Sequence, residues 1–260
     1  MQLSIQSNTL PWALLAMALL AAAAHAEQLV VAAAADLSFA LPLINKQFVA
    51  AHPGTEIKTS LGSSGNFSAQ IQNGAPFQVF MSADEKYPRD LIAKGFAVAD
   101  SYTVYGTGRL ALWTLKPGIN LNRGLGALSD PAIKHVAIAN PAHAPYGRAA
   151  EAALNKYGVL NQVQSKLVMG ENIAQTAQFV QTGNADAGIV AVSLLMSPKL
   201  ANVGRWVEVP ARLYAPLVQA AVVTSAGETS ALARQYVAYL ASPPARAILQ
   251  RFGFVETGNK

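Results

Sequence analysis

The chain has 260 residues, of which 13% are charged, and a formal net charge of +5. It has no cysteine, which excludes disulfides, thiolate nucleophiles and cysteine-bound metals. Its basic residues are dispersed instead of alternating with aromatic residues, so we expect weak attraction of anions and no binding of nucleic acid. The four histidines lack the paired spacing of a metal site, and we expect no direct metal coordination.

The first 26 residues have the pattern of a secretory signal peptide. An apolar stretch at 10–24 ends in Ala24, His25 and Ala26, a small-x-small cleavage site. The stretch is short for a membrane span and no basic stop-transfer cluster follows, which argues against a transmembrane anchor. The residues before it include no Lys or Arg, a departure from the usual pattern. We expect cleavage before Glu27 and an exported, soluble mature chain.

Short apolar runs alternate with helical patterns along the mature chain, which predicts an α/β fold with largely parallel sheets. The predicted strands are 29–35, 57–61, 79–81, 109–115, 136–139, 167–169, 187–192 and 220–224. Six helices are predicted. The first begins after Ser38, the second carries Phe67 and Ile71, and the third ends at Gly158. The other three span 173–182, 230–240 and 244–251. Residues 117–126 are rich in Pro, Gly and Asn and are predicted to form a loop.

The strands and helices fall into two groups, each large enough for a small sheet. We predict two lobes joined by strand-like crossings near residues 106 and 214. Residues 27–106 and 214–260 would form lobe 1, and residues 107–213 lobe 2. A ligand is expected in the cleft between the lobes, at the carboxyl ends of the strands.

Four turns share one pattern, in which an apolar strand is followed by small or neutral polar residues and a helix start. They are 34–38, 62–65, 145–147 and 170–173. The first turn of a helix has N–H groups without an intrahelical acceptor and a partial positive charge, so it suits an anion. Ordinary helix caps explain any single turn equally well. If the four turns meet, they form an uncharged, hydrogen-bonding cage for a small anion.

The signals for catalysis are weak. Ser63 and Ser64 stand in a G-S-S-G sequence, which lacks the flanking glycines of a G-x-S-x-G nucleophile elbow. No phosphate-binding or dinucleotide-binding glycine motif is present. We therefore expect no enzyme and no cofactor, and an exported serine hydrolase is a remote alternative.

Four segments, together with QRFGF near the C-terminus, resemble the periplasmic molybdate-binding proteins of ABC importers. The segments are AAAADLSFAL, LGSSGNFSAQIQNGAPFQVFMSADEKYP, IANPAHAPYGRAAEAAL and GENIAQTAQFVQTGNADAGIV. The resemblance covers nearly the whole mature chain. It implies a two-lobed periplasmic-binding-protein fold, each lobe a mostly parallel sheet flanked by helices, that closes on molybdate or tungstate. It also implies a periplasmic monomer that delivers this oxyanion to a membrane ABC permease.

The resemblance assigns binding roles to residues of the predicted turns. Ser64 matches a serine that offers its hydroxyl and its N–H to the anion. Tyr146 and Ile173 match positions that offer backbone N–H groups from the second lobe. Ser63, beside Ser64, and Ala191, at the end of the predicted strand 187–192, are weaker candidates.

Two positions depart from the family pattern. Asp36 stands where many members carry a ligating serine, and Ala191 stands where some carry a tyrosine, with Ser193 two residues later. We expect the Asp36 side chain to cap backbone N–H groups while its backbone lines the pocket. A carboxylate facing the ligand could instead accept a proton from hydrogen phosphate or hydrogen arsenate. A receptor for another oxyanion, such as sulfate, phosphate or chromate, is therefore the alternative function.

Overall fold

The computed structural model of the protein describes residues 27–256, so the predicted signal peptide, residues 1–26, lies outside the described part. Two five-stranded sheets, each flanked by helices, make up the fold. The strands are β1 (Glu27–Ala34), β2 (Thr55–Gly62), β3 (Val79–Ser82), β4 (Thr103–Gly108), β5 (Leu110–Thr114), β6 (Val136–Ala139), β7 (Leu167–Gly170), β8 (Ala187–Ala191), β9 (Arg205–Glu208) and β10 (Leu217–Val223). The helices are α1 (Leu41–Ala51), α2 (Ser64–Gln72), α3 (Lys86–Ala93), α4 (Pro145–Tyr157), α5 (Leu160–Val163), α6 (Ile173–Gln181), α7 (Val192–Leu195), α8 (Ala231–Leu240) and α9 (Pro243–Arg251).

The two sheets have the same topology. The first has the strand order β2-β1-β3-β10-β4, and the second has the order β7-β6-β8-β5-β9. In the first, β1 runs parallel to β2 and β3, while β10 is antiparallel to β3 and β4. In the second, β6 runs parallel to β7 and β8, while β5 is antiparallel to β8 and β9. Four strands of each sheet thus point the same way, which confirms the predicted mostly parallel sheets and two-lobed fold.

The chain passes between the sheets at two places. β4 belongs to the first sheet and β5 to the second, with only Arg109 between them. The return runs from β9 in the second sheet, through residues 209–216, to β10 in the first. Two crossings of this kind can act as a hinge, because a few residues at the ends of strands absorb the rotation of one lobe against the other.

Each predicted strand is present, but four strands and helices of the described part were not predicted, namely β9, α3, α5 and α7. β4 was predicted only as a strand-like crossing near residue 106. One prediction was wrong: Leu121–Ser129 forms short 3-10 turns with a kink at Gly124 where we expected a loop. Leu125 and Leu128 are buried there, in the hydrophobic core that includes β5, β6 and β8 of the second sheet, and this packing orders the segment.

Within residues 27–256, no helix is both long enough and apolar enough to cross a membrane. The predicted positions of helix ends are confirmed where a residue type fixes them. Pro42 lies in the first turn of α1, where a backbone N–H has no acceptor within the helix. Proline therefore removes no helical hydrogen bond there. Gly158 ends α4 with φ of 87°, a left-handed conformation that glycine adopts without strain.

Candidate functional site

A small cavity lies between the two sheets, where turns from both of them meet. Its lining comes from the carboxyl ends of β1, β2 and β3 in the first sheet and from the starts of α4 and α6 beside the second. The lining residues are Ala34, Ala35, Asp36, Gly62, Ser63, Ser64, Ala83, Ala144, Pro145, Tyr146 and Ile173. Its volume of about 200 Å³ is below that of the pockets that hold drug-sized organic molecules, so it suits one small species.

The first sheet contributes the serine turn. β2 ends at Gly62 and α2 begins at Ser64, whose side chain is 0% exposed. Ser64 Oγ accepts a 3.0 Å hydrogen bond from the N–H of Ala83. That bond fixes the oxygen and leaves the hydroxyl hydrogen free to donate. The backbone N–H of Ser64, at the first position of α2, has no acceptor within the helix.

The second sheet contributes two helix starts. Tyr146 is the second residue of α4, and Ile173 is the first residue of α6. Asn172 caps α6, and its side-chain oxygen accepts 3.0 Å hydrogen bonds from the N–H groups of Ala174 and Gln175. The cap leaves the N–H of Ile173 without an intrahelical acceptor. Backbone donors of both helices are therefore available at the cavity.

Gly147 allows α4 to begin this close to β6. A Cβ atom on Gly147 would lie 2.1 Å from the carbonyl oxygen of Ala139, the last residue of β6. No side chain fits at that separation, so the glycine is required for the helix start to reach the cavity.

Asp36 lies in a hydrogen-bonded network that joins the two lobes. Its Oδ2 accepts a 2.9 Å bond from the Tyr146 hydroxyl and a 2.5 Å bond from Nε2 of Gln219. Its carbonyl oxygen accepts a 2.8 Å bond from the Ser193 hydroxyl. The expectation that the side chain mainly caps a helix is wrong, because its two side-chain partners come from β10 and α4.

The electrostatics of this network follow from burial. Asp36 is 1% exposed, and desolvation raises the pKa of its carboxyl from 3.8 to about 6, although the bonds from Gln219 and Tyr146 lower it. Burial also raises the pKa values of Tyr105 and Tyr146 well above 10. Both phenols are therefore neutral donors at physiological pH. Oδ1 of Asp36 is buried without a hydrogen-bond partner.

Contacts at the edge of the cavity hold the lobes together. Arg148 of α4 lies 2.8 Å from a carboxylate oxygen of Asp84 and donates a 2.9 Å bond to the Tyr87 hydroxyl. The ring nitrogen Nδ1 of His143 lies 2.9 Å from Ser63 Oγ, and the N–H of Gly65 donates to the His143 carbonyl. The structure thus represents a closed arrangement. No Lys, Arg or His is among the residues that line the cavity.

The structure brings five of the six candidate residues together. Asp36, Ser63, Ser64, Tyr146 and Ile173 line the cavity. Ala191 is buried at the end of β8 and is not part of the lining. The binding roles of all six candidate residues stay predictions.

Gln219 was missed by the sequence analysis. It is a fully buried amide in the otherwise apolar strand LVQAAVV, and this lone polar residue was the available signal. Within residues 27–256 no cluster of His, Cys, Asp or Glu could hold a metal ion.

Two lobes of equal topology with a small cavity between them are the architecture of solute-binding proteins that close on a ligand by a hinge. Residues 29–255 match the family model described as bacterial extracellular solute-binding protein, and the chain belongs to this family.

Several relatives are similar over most of their length. The chain is 43% identical to the molybdate-binding protein ModA of Azotobacter vinelandii, over 91% of this chain and 93% of the relative. It is 39% identical to ModA of Rhodobacter capsulatus, over 78% of each chain. The solved periplasmic molybdate-binding protein of Azotobacter vinelandii superposes with a TM-score of 0.83 at 36% identity, over 88% of this chain and 99% of that one.

Proposed function

We propose that the protein binds a tetrahedral oxyanion, molybdate or tungstate, in this cavity and delivers it to a membrane ABC permease. The observation that carries the proposal is the convergence of helix starts from both lobes on a cavity lined by no cationic side chain. Backbone N–H groups and hydroxyls bind a multiply charged anion without the desolvation cost of a buried counter-charge. The names and identities of the relatives support the choice of molybdate.

In this proposal the protein contacts the oxygens of the anion and not the metal. The donors are the hydroxyl and N–H of Ser64 and the N–H groups of Tyr146 and Ile173. Asp36 and Ser63 complete the wall of the site. The protein would use no cofactor, bind no nucleic acid and act as a periplasmic monomer after removal of residues 1–26.

The proposed lobes are residues 27–106 plus 214–260, and residues 107–213. Donors from both lobes reach the anion only when the cleft is closed, so binding should favour the closed form. Small-angle scattering of the mature protein should show a smaller radius of gyration with bound oxyanion. Identical profiles with and without bound ligand would contradict closure.

Calorimetry of residues 27–260 with molybdate, tungstate, sulfate, chromate and phosphate tests the choice of ligand. We expect molybdate or tungstate to bind most tightly and to raise the melting temperature. At a hundred times the dissociation constant, a ligand stabilises the folded protein by about 2.7 kcal/mol. Tighter binding of sulfate or phosphate would contradict the assignment and favour a receptor for that anion.

One observation favours the alternative of a serine hydrolase. Ser63 Oγ lies 2.9 Å from Nδ1 of His143, whose Nε2 lies 3.7 Å from a carboxylate oxygen of Glu171. However, these residues face each other across the closed cleft, and Ser63 is only 5% exposed. A substrate that opened the cleft would separate the serine from its base. Labelling by a serine-directed fluorophosphonate, lost in Ser63→Ala, would support the hydrolase.

A further inference from the structure

The carboxyl group of Asp36 is unevenly hydrogen-bonded. Oδ2 accepts from Tyr146 and from Gln219, whereas Oδ1 has no partner although it is buried. Asp36 also lines the cavity. Because Oδ2 is already engaged, Oδ1 is the oxygen left to contact a species bound there.

This pattern matches a neutral carboxylic acid. A protonated carboxyl has one carbonyl oxygen, which accepts hydrogen bonds, and one hydroxyl, which donates. The two donors on Oδ2 identify it as the carbonyl oxygen and leave Oδ1 as the hydroxyl. An ionised carboxylate would instead have a buried, charged oxygen without a donor, which is unfavourable.

A bound dianion strengthens this preference. A carboxylate and a dianion in one dry cavity repel each other, and a proton between them replaces the repulsion with a hydrogen bond. The titratable side chains that face Asp36 are Tyr105 on β4 and Tyr146 on α4, and both are neutral. Gln219 on β10 and Ser193 on α7 are uncharged. None of these neighbours supplies a positive charge in place of the proton.

We propose that Asp36 takes up one proton when the oxyanion binds, and that Oδ1–H then donates a hydrogen bond to an anion oxygen. The proton comes from solvent, and no covalent bond to the anion forms or breaks. The proton can be placed on Asp36 beside a bound dianion, or on the anion beside an ionised Asp36. The two placements have the same composition, and in both of them Asp36 and the anion share one proton. This inference rests on the proposed oxyanion function, whose regulation by pH it specifies.

Calorimetry with sodium molybdate measures the proton directly. Titrations of residues 27–260 at about pH 8, in buffers of different ionisation enthalpy, give the number of protons taken up per anion bound. We expect about one proton, because the carboxyl of the free protein is ionised there. Affinity should fall about tenfold for each pH unit above the pKa of free Asp36.

Asp36→Asn tests whether Asp36 is the group responsible. The amide keeps an acceptor for Tyr146 and Gln219 and a donor for the anion, but cannot be protonated. We expect it to bind molybdate with no proton uptake and with an affinity that does not change with pH. Asp100→Asn removes an exposed carboxylate distant from the cavity and should behave as wild type.

His143 is an ionisable side chain at the edge of the cavity, with Nδ1 2.9 Å from Ser63 Oγ, and it serves as the second test. His143→Gln should keep the proton uptake and the pH dependence if Asp36 is their source. Loss of both in His143→Gln, with both kept in Asp36→Asn, would overturn the inference. So would wild-type binding of molybdate without proton uptake. Absence of molybdate binding at any pH would instead contradict the proposed function.

Discussion

The hydroxyl of Tyr146 donates a 2.9 Å hydrogen bond to the carboxyl of Asp36, and this bond links the two lobes through a residue of each. Both residues also line the cavity. Contacts that close the cleft are therefore made by side chains that also line the cavity. In the proposed function these side chains couple closure to binding, since whatever weakens one weakens the other.

Tyr146→Phe should weaken molybdate binding by roughly 2- to 12-fold. The substitution keeps the backbone N–H of position 146. It removes the bond to Asp36 and the 3.2 Å bond that the hydroxyl accepts from Nε2 of Gln219. A hydrogen bond to a neutral acceptor contributes about 0.5–1.5 kcal/mol, which sets this range. Isothermal titration calorimetry measures the affinity. Tyr157→Phe is the matched control, because it removes an exposed hydroxyl of the same helix that bonds the Arg123 carbonyl.

Unchanged affinity in Tyr146→Phe would mean that the bond to Asp36 does not stabilise the closed form. A loss much greater than predicted, with a lowered melting temperature, would mean that the hydroxyl is required for folding. Tyr157→Phe should bind as wild type in either case.

Ser64→Ala should weaken oxyanion binding by roughly 10- to 150-fold while the protein stays folded. A hydrogen bond to a charged group contributes about 1.5–3 kcal/mol, and the substitution removes the hydroxyl that Ala83 holds in place. Ser68→Ala, four residues later on α2 and also buried, is the control because Ser68 does not line the cavity. Calorimetry measures the oxyanion affinity of both variants. Wild-type affinity in Ser64→Ala would remove this residue from the site.

The turns that form the cavity could be predicted because each is a local feature. The strand before Gly62 and the helix start after it are encoded by residues within a few positions of each other. The same holds for Asn172 and Ile173, where the cap and the first helical residue are neighbours. Their meeting in space is not local, so the sequence left open whether they were ordinary caps.

The Asp36 network could not be predicted, since its members are far apart in the chain. Gln219 lies 183 positions after Asp36, and Tyr146 lies 110 positions after it. No pattern within one strand or helix indicates such a pairing. Asp36 by itself looked like a cap because aspartate is common at helix starts. Only the topology, which places β10 beside β3 and close to β1, brings these side chains together.

Gly108→Ala should weaken binding by more than about tenfold and reduce closure of the lobes. A Cβ atom on Gly108 would lie 2.1 Å from the Tyr146 hydroxyl oxygen and 2.8 Å from Nε2 of Gln219. Both atoms belong to the Asp36 network, so the methyl group would push the network apart. Affinity is measured by calorimetry and closure by small-angle scattering with molybdate present.

Gly106→Ala is the control for that experiment. It lies two residues earlier on β4, and a Cβ atom there would meet Phe254 Cβ at 3.4 Å, close to ordinary contact. We expect near wild-type affinity and closure in Gly106→Ala. Equal losses in the two variants would show that β4 tolerates no added methyl group and that the network is not the cause.

The last prediction concerns the pH dependence of stability without ligand. The pKa of Asp36 is raised from 3.8 to about 6, so the folded protein binds this proton more tightly than the unfolded chain. The stabilisation that this proton gives to the folded protein is therefore complete below about pH 3.8. It is lost as pH rises through about 6. The rise from 3.8 to about 6 corresponds to roughly 3 kcal/mol.

Asp36→Asn cannot lose a proton, so relative to wild type it should be more stable at about pH 8 than at about pH 4. The difference between the two pH values should be roughly 2–3 kcal/mol, because all other titrating groups are shared by the two proteins. Urea denaturation of ligand-free residues 27–260 at both pH values measures it. A difference that is constant between the two pH values, or larger at about pH 4, would show that folding does not raise the pKa of Asp36.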